Sequence, residues 1–263
     1  MKKFTILNIL CAVAFLSIFA TNIYADSPVI NWGLHYEKEG EIPIGNRTSE
    51  YLETYNAYFH GEFDGSNKVL YLTFDAGYEN GYTEKILDTL KKNDVPATFF
   101  LVGTYLNKNP ELIKRMVDEG HIIGNHTVSH ADMTKKSLEE FGAELKRFEE
   151  IYESIVGSQA PKYYRPPEGT FNESNLIAAN EFGYETVLWS ATYADWDNKK
   201  QPSRAHAFEK LMPRLHPGAI ILLHSTSATS TDILDEFITR CKNDGYAFRN
   251  IDEIVDRFGQ VWE

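Results

Sequence analysis

The stretch Val69-Leu-Tyr-Leu-Thr-Phe-Asp75-Ala76-Gly-Tyr-Glu-Asn80 decides the fold. Its first six residues are nearly all apolar, which is typical of a parallel strand buried on both faces. Asp75 follows at the carboxyl end of that strand, and a glycine turn comes next. Because parallel α/β folds place their chemistry at the carboxyl ends of strands, Asp75 is a candidate site residue. The alternative is that Asp75 only caps the helix predicted over residues 79–93.

From Lys68 onward, strand patterns alternate with helix patterns. Short apolar runs predict further strands at residues 97–102, 121–125, 162–165, 186–190, 219–223 and 247–249. Amphipathic stretches predict helices at residues 110–119, 137–156, 172–182, 203–215 and 231–243. Such alternation implies parallel strands with right-handed crossovers. The predicted fold class is therefore α/β, either an α/β barrel of about seven parallel strands or an open doubly wound sheet.

The first 25 residues have the pattern of a secretory signal peptide. Lys2 and Lys3 precede an apolar run, and Ala25 stands at a plausible cleavage point. The alternative is an uncleaved membrane anchor, because Ile23 is unfavourable two positions before that cut. In either case we expect a protein that is exported across the cytoplasmic membrane.

The rest of the chain divides into an extension, one domain and a tail. Residues 26–67 are rich in aromatic side chains and poor in periodicity, so we expect an ordered extension that packs on the domain over residues 68–255. Residues 256–263 form a tail. Without the signal segment only Cys241 remains, which excludes an internal disulfide. The net charge of −12 argues against a nucleic-acid partner, and we expect a monomer.

Polar residues with catalytic potential follow five of the predicted strands. They are Asp75, the pair His126 and His130, Arg165, Asp195 and His224. A parallel barrel brings the carboxyl ends of its strands to one face, so we expect these side chains to meet there. Each has a simpler interpretation alone, such as an incidental histidine pair, a surface turn, a loop cap or a core histidine. Explaining all five positions by separate coincidences is less economical than explaining them by one shared site.

These residue types suit metal-assisted hydrolysis. Two imidazoles spaced like His126 and His130 can bind one divalent cation and leave positions open to water and substrate. Asp75 could take the proton of an attacking water, and Arg165, if paired with Asp75, would keep it ionised.

A second pair could supply the acid. His224 could protonate a leaving amine, and a nearby Asp195 would keep the imidazole cationic. Base, acid and cation together are suited to cleavage of an amide bond.

In order and spacing, the same residues resemble the five motifs of the polysaccharide deacetylases, the NodB-homology domain of carbohydrate esterase family 4. The matching segments are Thr73-Phe-Asp75-Ala76-Gly-Tyr, His126-Thr-Val-Ser-His130, Arg165-Pro-Pro-Glu-Gly, Asp195-Trp196 and Leu222-Leu-His224. The resemblance implies a distorted (β/α) barrel. It also implies a secreted enzyme that removes acetyl groups from N-acetylated sugars, usually with zinc or another divalent metal.

The resemblance also implies a role for each matching residue. It makes Asp75 the catalytic base, with Arg165 positioning it. His126 and His130 would be metal ligands. His224 would be the general acid, and Asp195 would tune it. The backbone N–H of Glu168 is a candidate oxyanion donor.

Ala76 departs from the family pattern. Most family members have a second aspartate at this position as the third metal ligand, whereas alanine has no donor atom. Two histidines with water hold a divalent ion more weakly than three protein ligands. The cation, with Zn²⁺ the first expectation, could be held loosely, could recruit Asp75, could arrive with substrate or could be absent.

Longer segments, residues 71–82, 115–126 and 216–224, are similar to a branch of this family that deacetylates N-acetylmuramic acid in peptidoglycan. In that branch the freed amine closes on the lactyl carboxyl to give muramic δ-lactam in the spore cortex. The resemblance therefore implies a role in sporulation and germination. It also implies a glycan partner whose stem peptide an amidase has already removed.

Two alternatives remain open. One is deacetylation of another glycan, such as peptidoglycan N-acetylglucosamine or chitin oligomers. The other is a non-catalytic glycan-binding relic, an interpretation motivated by Ala76.

Overall fold

The computed structural model describes residues 27–61 and 68–254. The predicted signal segment, residues 1–25, and the predicted tail, residues 256–263, lie outside these ranges. Within them, no helix combines the length and the apolar character that a membrane crossing requires.

Short strands make up most of the sheet structure. In chain order, those of the described residues are β1 (Ile30–Asn31), β2 (Leu34–His35), β3 (Ile44–Gly45), β4 (Ala57–Tyr58), β5 (Val69–Ala76), β6 (Thr98–Leu101), β7 (Ile122–Asn125), β8 (Tyr163–Tyr164), β9 (Thr170–Phe171), β10 (Glu185–Val187), β11 (Ala191–Thr192), β12 (Ala219–His224) and β13 (Ala247–Phe248).

The main sheet of the described residues contains nine of these strands. Its order is β11-β12-β5-β6-β7-β8-β10-β4, with β13 paired to β5. All of these pairings are parallel. The predicted α/β class is therefore confirmed, whereas the predicted strand count of about seven is too low, because β4 from the extension joins the sheet and one predicted strand is split in two.

One continuous segment closes the sheet into a distorted barrel. β10 pairs with β8, and β11, only a few residues later, pairs with β12 at the other end of the sheet. Between them the Ser190 N–H donates to the Ile220 carbonyl (2.9 Å). The strand predicted over residues 186–190 is split for this reason, since the chain must turn to serve two neighbours that do not pair with each other. The open doubly wound sheet was the wrong alternative.

Helices connect the strands. In chain order they are α1 (Ser49–Glu53), α2 (Thr83–Asn93), α3 (Gly103–Lys108), α4 (Pro110–Asp118), α5 (Leu138–Val156), α6 (Glu173–Glu181), α7 (Arg204–Leu211) and α8 (Ala228–Asn243), with 3₁₀ turns at Met133–Lys135, Pro167–Gly169 and Met212–Arg214. The capping box predicted for α5 from Ser137 and Glu140 is present. Gly120 and Gly183, the predicted helix stops, have φ values of +82° and +75°.

Several helices were predicted with wrong boundaries or were not predicted. α2 begins at Thr83 instead of residue 79, because the Glu79 carboxylate accepts the N–H groups of residues 81–83 and caps the helix. α8 begins three residues earlier than predicted, since Ser227 accepts the Ser230 N–H and caps it there. α3 was not predicted from the sequence.

Residues 27–61 pack on the barrel. β1 pairs with β9 and β4 pairs with β10. Trp32 is buried against Phe59, with ring centroids 5.1 Å apart, and its indole N–H donates to the Trp189 carbonyl (3.0 Å). A buried ring of about 200 Å² contributes at most about 5 kcal/mol to folding, so these aromatics fix this segment beside the carboxyl ends of the strands.

Candidate active site

The carboxyl ends of the parallel strands surround a cleft of about 940 Å³. Of the residues predicted from the sequence, Asp75, His126, His130 and His224 line it. The other two, Arg165 and Asp195, are fully buried directly behind. The structure thus brings together all six side chains, which the sequence spreads over 150 positions.

Arg165 holds Asp75 at the end of β5. Its Nη1 donates to Asp75 Oδ1 (2.7 Å) and to Thr73 Oγ1 (2.9 Å). Its other side-chain hydrogen bonds are to the backbone carbonyls of Val187 (3.0 Å) and Leu188 (3.2 Å). Burial is the largest single influence and would raise the pKa of Asp75, but the charge and hydrogen bond of Arg165, together with His126 and His224, outweigh it and hold that pKa below its usual range. Asp75 is therefore an ionised carboxylate at neutral pH.

Asp195 holds His224 at the end of β12. The Asp195 carboxylate accepts the His224 backbone N–H (2.8 Å), the Ser230 hydroxyl (2.5 Å) and a hydrogen bond from His224 Nδ1 (2.7 Å). With Nδ1–H directed at Asp195, Nε2 remains for the cleft. Burial tends to lower the pKa of His224, but the Asp195 charge and hydrogen bond raise it overall. His224 is thus arranged to carry a proton to the substrate.

A strained loop after β7 brings His126 and His130 together, with ring centroids 4.9 Å apart. Thr127 and His130 both adopt left-handed backbone, with φ values of 65° and 56°. Each such non-glycine residue costs about 1–3 kcal/mol. Asn125 Oδ1 accepts the Thr127 N–H (2.9 Å), and Thr127 Oγ1 accepts the His130 N–H (2.8 Å), which locks the turn.

The two histidines fit a divalent cation. His126 Nδ1 is hydrogen-bonded to the Arg165 carbonyl (2.8 Å), which makes Nδ1–H the donor and leaves Nε2 as a free lone pair. Burial lowers the pKa of His126 to about 4, so the ring is neutral, as a ligand must be. Asp75 Oδ2 lies 3.7 Å from His126 Nε2.

A complete protein ligand set is not found. Within residues 27–61 and 68–254, no group of three or more His, Cys, Asp or Glu side chains is placed to hold a metal ion. Ala76 lines the cleft beside Asp75 and contributes no donor. Water or substrate would have to complete the coordination of a cation held by His126 and His130.

Several residues in or behind the cleft were missed from the sequence. Ser230 lies 35 positions from the Asp195 it binds, and Arg214 belongs to no motif. Two exposed aromatic side chains of the cleft, Tyr78 (52% exposed) and Trp196 (65% exposed), could have been found from the sequence, since each belongs to a quoted motif. Glu168, whose N–H was a candidate oxyanion donor, lines the cleft with a φ of 57°.

Comparison with known proteins gives three informative similarities. A family model described as "Polysaccharide deacetylase" matches residues 63–187. The chain is 41% identical to peptidoglycan-N-acetylmuramic acid deacetylase PdaA of Bacillus subtilis over 94% of each chain. The solved structure of PdaA, a family 4 carbohydrate esterase, matches with a TM-score of 0.82 at 42% identity, over 87% of this chain and 97% of that one.

Two further relatives differ in activity. A peptidoglycan-N-acetylglucosamine deacetylase of Bacillus cereus is 38% identical over 75% of this chain and 71% of its own. BA3943 of Bacillus anthracis, described as a pseudoenzyme of the same esterase family, matches with a TM-score of 0.69 at 31% identity, over 75% of this chain and 70% of that one.

Proposed function

The chain belongs to the polysaccharide deacetylase family, carbohydrate esterase family 4, as its motifs predicted, and from this premise we propose that it deacetylates N-acetylmuramic acid in peptidoglycan. It is a hydrolase of amide bonds, and its relatives include peptidoglycan deacetylases. Deacetylases of this family are metalloenzymes.

The extent of similarity favours N-acetylmuramic acid over N-acetylglucosamine as the substrate. The similarity to PdaA runs through 94% of the chain, whereas the similarity to the glucosamine deacetylase of Bacillus cereus covers 75%. A glycan strand meets more than the motif residues, so likeness along nearly the whole chain supports the same substrate. Deacetylation of N-acetylglucosamine is the second candidate.

One observation supports catalysis over a relic. Asp75 and His224 are cross-strand partners at the cleft, and each keeps its buried counter-charge. A buried ion pair contributes little net stability, so a protein with no chemistry to perform gains little from retaining two of them. Because the family includes a pseudoenzyme, this arrangement supports catalysis more strongly than family membership does.

The geometry supports an acid–base mechanism. We propose that Asp75 takes the proton of the water that attacks the acetyl carbonyl, while Arg165 orients the carboxylate. His224 then protonates the sugar nitrogen as the carbon–nitrogen bond breaks, and Asp195 stabilises the imidazolium. One water is consumed, and acetate and a free sugar amine are released.

Two further groups would assist the carbonyl. A divalent cation bound by His126 and His130, with Zn²⁺ the expected metal, would polarise the acetyl carbonyl oxygen and lower the pKa of a bound water. The backbone N–H of Glu168 is proposed as an oxyanion donor at the cleft wall.

The proposal includes a biological setting. The freed amine can close on the lactyl carboxyl with loss of water, which gives the muramic δ-lactam of spore cortex. Because a lactyl group capped by a stem peptide offers no free carboxyl, an amidase must act first. We propose that the enzyme acts on the wall side of the cytoplasmic membrane, as a monomer. Its proposed role is in sporulation and germination.

The test is acetate release from defined glycans. The protein is incubated with peptide-free peptidoglycan strands and with chitin oligomers, each with Zn²⁺ and with chelator, and deacetylated products are identified by mass spectrometry. Loss of acetyl groups from muramic acid is the expected result. Loss of acetyl groups from N-acetylglucosamine alone would make that sugar the substrate. If no glycan loses acetyl groups, the non-catalytic glycan-binding relic is the remaining interpretation.

A further inference from the structure

Arg214 introduces a positive charge into the cleft that the mechanism does not use. It lies at the end of the 3₁₀ turn Met212–Arg214 and, among the described residues, is the only lysine or arginine that lines the cleft. The chain as a whole carries a net charge of −12. A cation at this wall therefore stands out against the overall charge of the protein.

The Arg214 side chain is held in place without an anion. Its guanidinium lies 4.2 Å from the centroid of the Tyr36 ring, and Nη1 donates to the Thr192 carbonyl (2.5 Å). The Tyr36 hydroxyl in turn donates to the Ser190 carbonyl (3.0 Å). This arrangement fixes the long side chain before any ligand arrives.

No carboxylate of the described residues pairs with Arg214. Other arginines of the chain do have such partners, for example Arg115 with Asp88 and Arg204 with Asp232. A guanidinium has five N–H donors, and the described residues engage Arg214 through one hydrogen bond. A half-buried, pre-positioned guanidinium with free donors is suited to a planar anion from outside, above all a carboxylate.

The proposed substrate has such a group next to the reacting amide. N-acetylmuramic acid carries its acetamido group on C2 and its lactyl ether on C3, so the free carboxylate lies on the neighbouring carbon. Arg214 is anchored near the proposed acid, because Thr192, its backbone partner, pairs across the sheet with Leu222, two residues before His224.

We propose that Arg214 binds the lactyl carboxylate of peptide-free N-acetylmuramic acid and so selects this sugar over N-acetylglucosamine. The inference rests on the proposed function. It extends that function to a specificity residue outside the motifs, positioned by Tyr36 of the N-terminal segment. It also predicts that removal of the stem peptide favours deacetylation, because only then does the lactyl group bear a charge.

The test compares substrates that differ in one charge. We would measure kcat/KM for peptide-free strands with a free lactyl carboxylate and for the same strands with that group converted to a methylamide. The wild-type protein should prefer the free carboxylate. In Arg214→Gln that preference should fall about 10- to 100-fold, the usual range for a charged hydrogen bond, mainly through KM. Arg214→Lys should recover part of it.

Arg47→Gln is the matched control. Arg47 also lies over a tyrosine ring, Tyr51 (5.7 Å), and donates to a backbone carbonyl, but it does not line the cleft. The control should keep the wild-type preference. Thermal unfolding of each variant checks that it is folded, and the wild-type preference provides a test that needs no variant.

The outcomes separate the two proposals. Wild-type protein that deacetylates both strands equally well would overturn the role of Arg214 and leave the proposed function intact. The same holds if Arg214→Gln lowers kcat/KM equally for both strands, because that is a structural effect. Wild-type protein that releases no acetate from muramic acid would overturn the proposed function and this inference together.

Discussion

Asp75 and His224 are direct cross-strand partners at the carboxyl ends of β5 and β12. Each has a buried residue of opposite charge behind it, Arg165 for the carboxylate and Asp195 for the imidazole. Against the opposing effect of burial, these partners lower the pKa of Asp75 and raise the pKa of His224. The pH range in which the base is ionised while the acid is protonated is widened as a result.

Asp75→Asn should abolish most of the activity. The amide keeps the shape of the side chain but cannot accept the proton of water, and general base catalysis contributes about 10²- to 10⁴-fold. We expect acetate release to fall by at least about 100-fold. Asp88→Asn, the same change at an exposed carboxylate on α2, should have no effect. An Asp75 variant that stays within about tenfold of wild type would exclude Asp75 as the base.

Asp195→Asn should move the pH profile. Without the Asp195 charge, burial dominates and the pKa of His224 falls. A general acid works only while protonated, so the alkaline limb of the kcat/KM profile should shift to lower pH. Asp197, in the same loop, accepts the Lys199 N–H and no hydrogen bond from His224, so Asp197→Asn should leave the limb in place. An unmoved alkaline limb in Asp195→Asn would mean that His224 is not the acid.

Arg165→Met should destabilise the protein in a pH-dependent way. Loss of the partner leaves a buried charge at Asp75, which costs about 3–5 kcal/mol of unfolding free energy at neutral pH. In the wild type the lowered pKa of Asp75 contributes stability above about pH 3.9, which is lost as pH falls through the folded value. In the variant, burial raises the pKa of Asp75, so stability should fall as pH rises above about 3.9.

Urea unfolding of this variant at several pH values, with chelator present, checks the prediction. The deficit relative to wild type should be largest near pH 7 and shrink toward about pH 4. Arg147→Met, which removes the exposed partner of Glu150, should cost less than about 1 kcal/mol at every pH. A deficit in the Arg165 variant that does not change with pH would exclude electrostatic loss as its cause.

Ala76→Asp should strengthen metal binding. The new carboxylate would stand at the cleft beside the two histidines, where alanine has no donor. Zn²⁺ affinity, measured by calorimetry after chelation, should rise at least about tenfold, since even outer partners of a metal site contribute about 10- to 100-fold. Ala76→Asn controls for size and should give a smaller gain. Equal Zn²⁺ affinities in both variants would mean that the cation binds away from residue 76.

Local patterns in the sequence determined much of this protein. The apolar run before Asp75, the Ser137 capping box and the stops at Gly120 and Gly183 depend on neighbours a few residues away, so periodicity and backbone preference suffice to find them. The candidate site residues could be found for the same reason, because each follows a strand whose pattern is local.

The tertiary structure alone decided how the sheet closes and how the site is held. The split between β10 and β11 and the hydroxyl of Ser230 on Asp195 both depend on contacts between distant segments. The direction of each pKa shift and the position of Arg214 beside Tyr36 likewise arise from burial and charge brought together across the fold. Such energies belong to the packed arrangement of the chain, and no local pattern of residues encodes them.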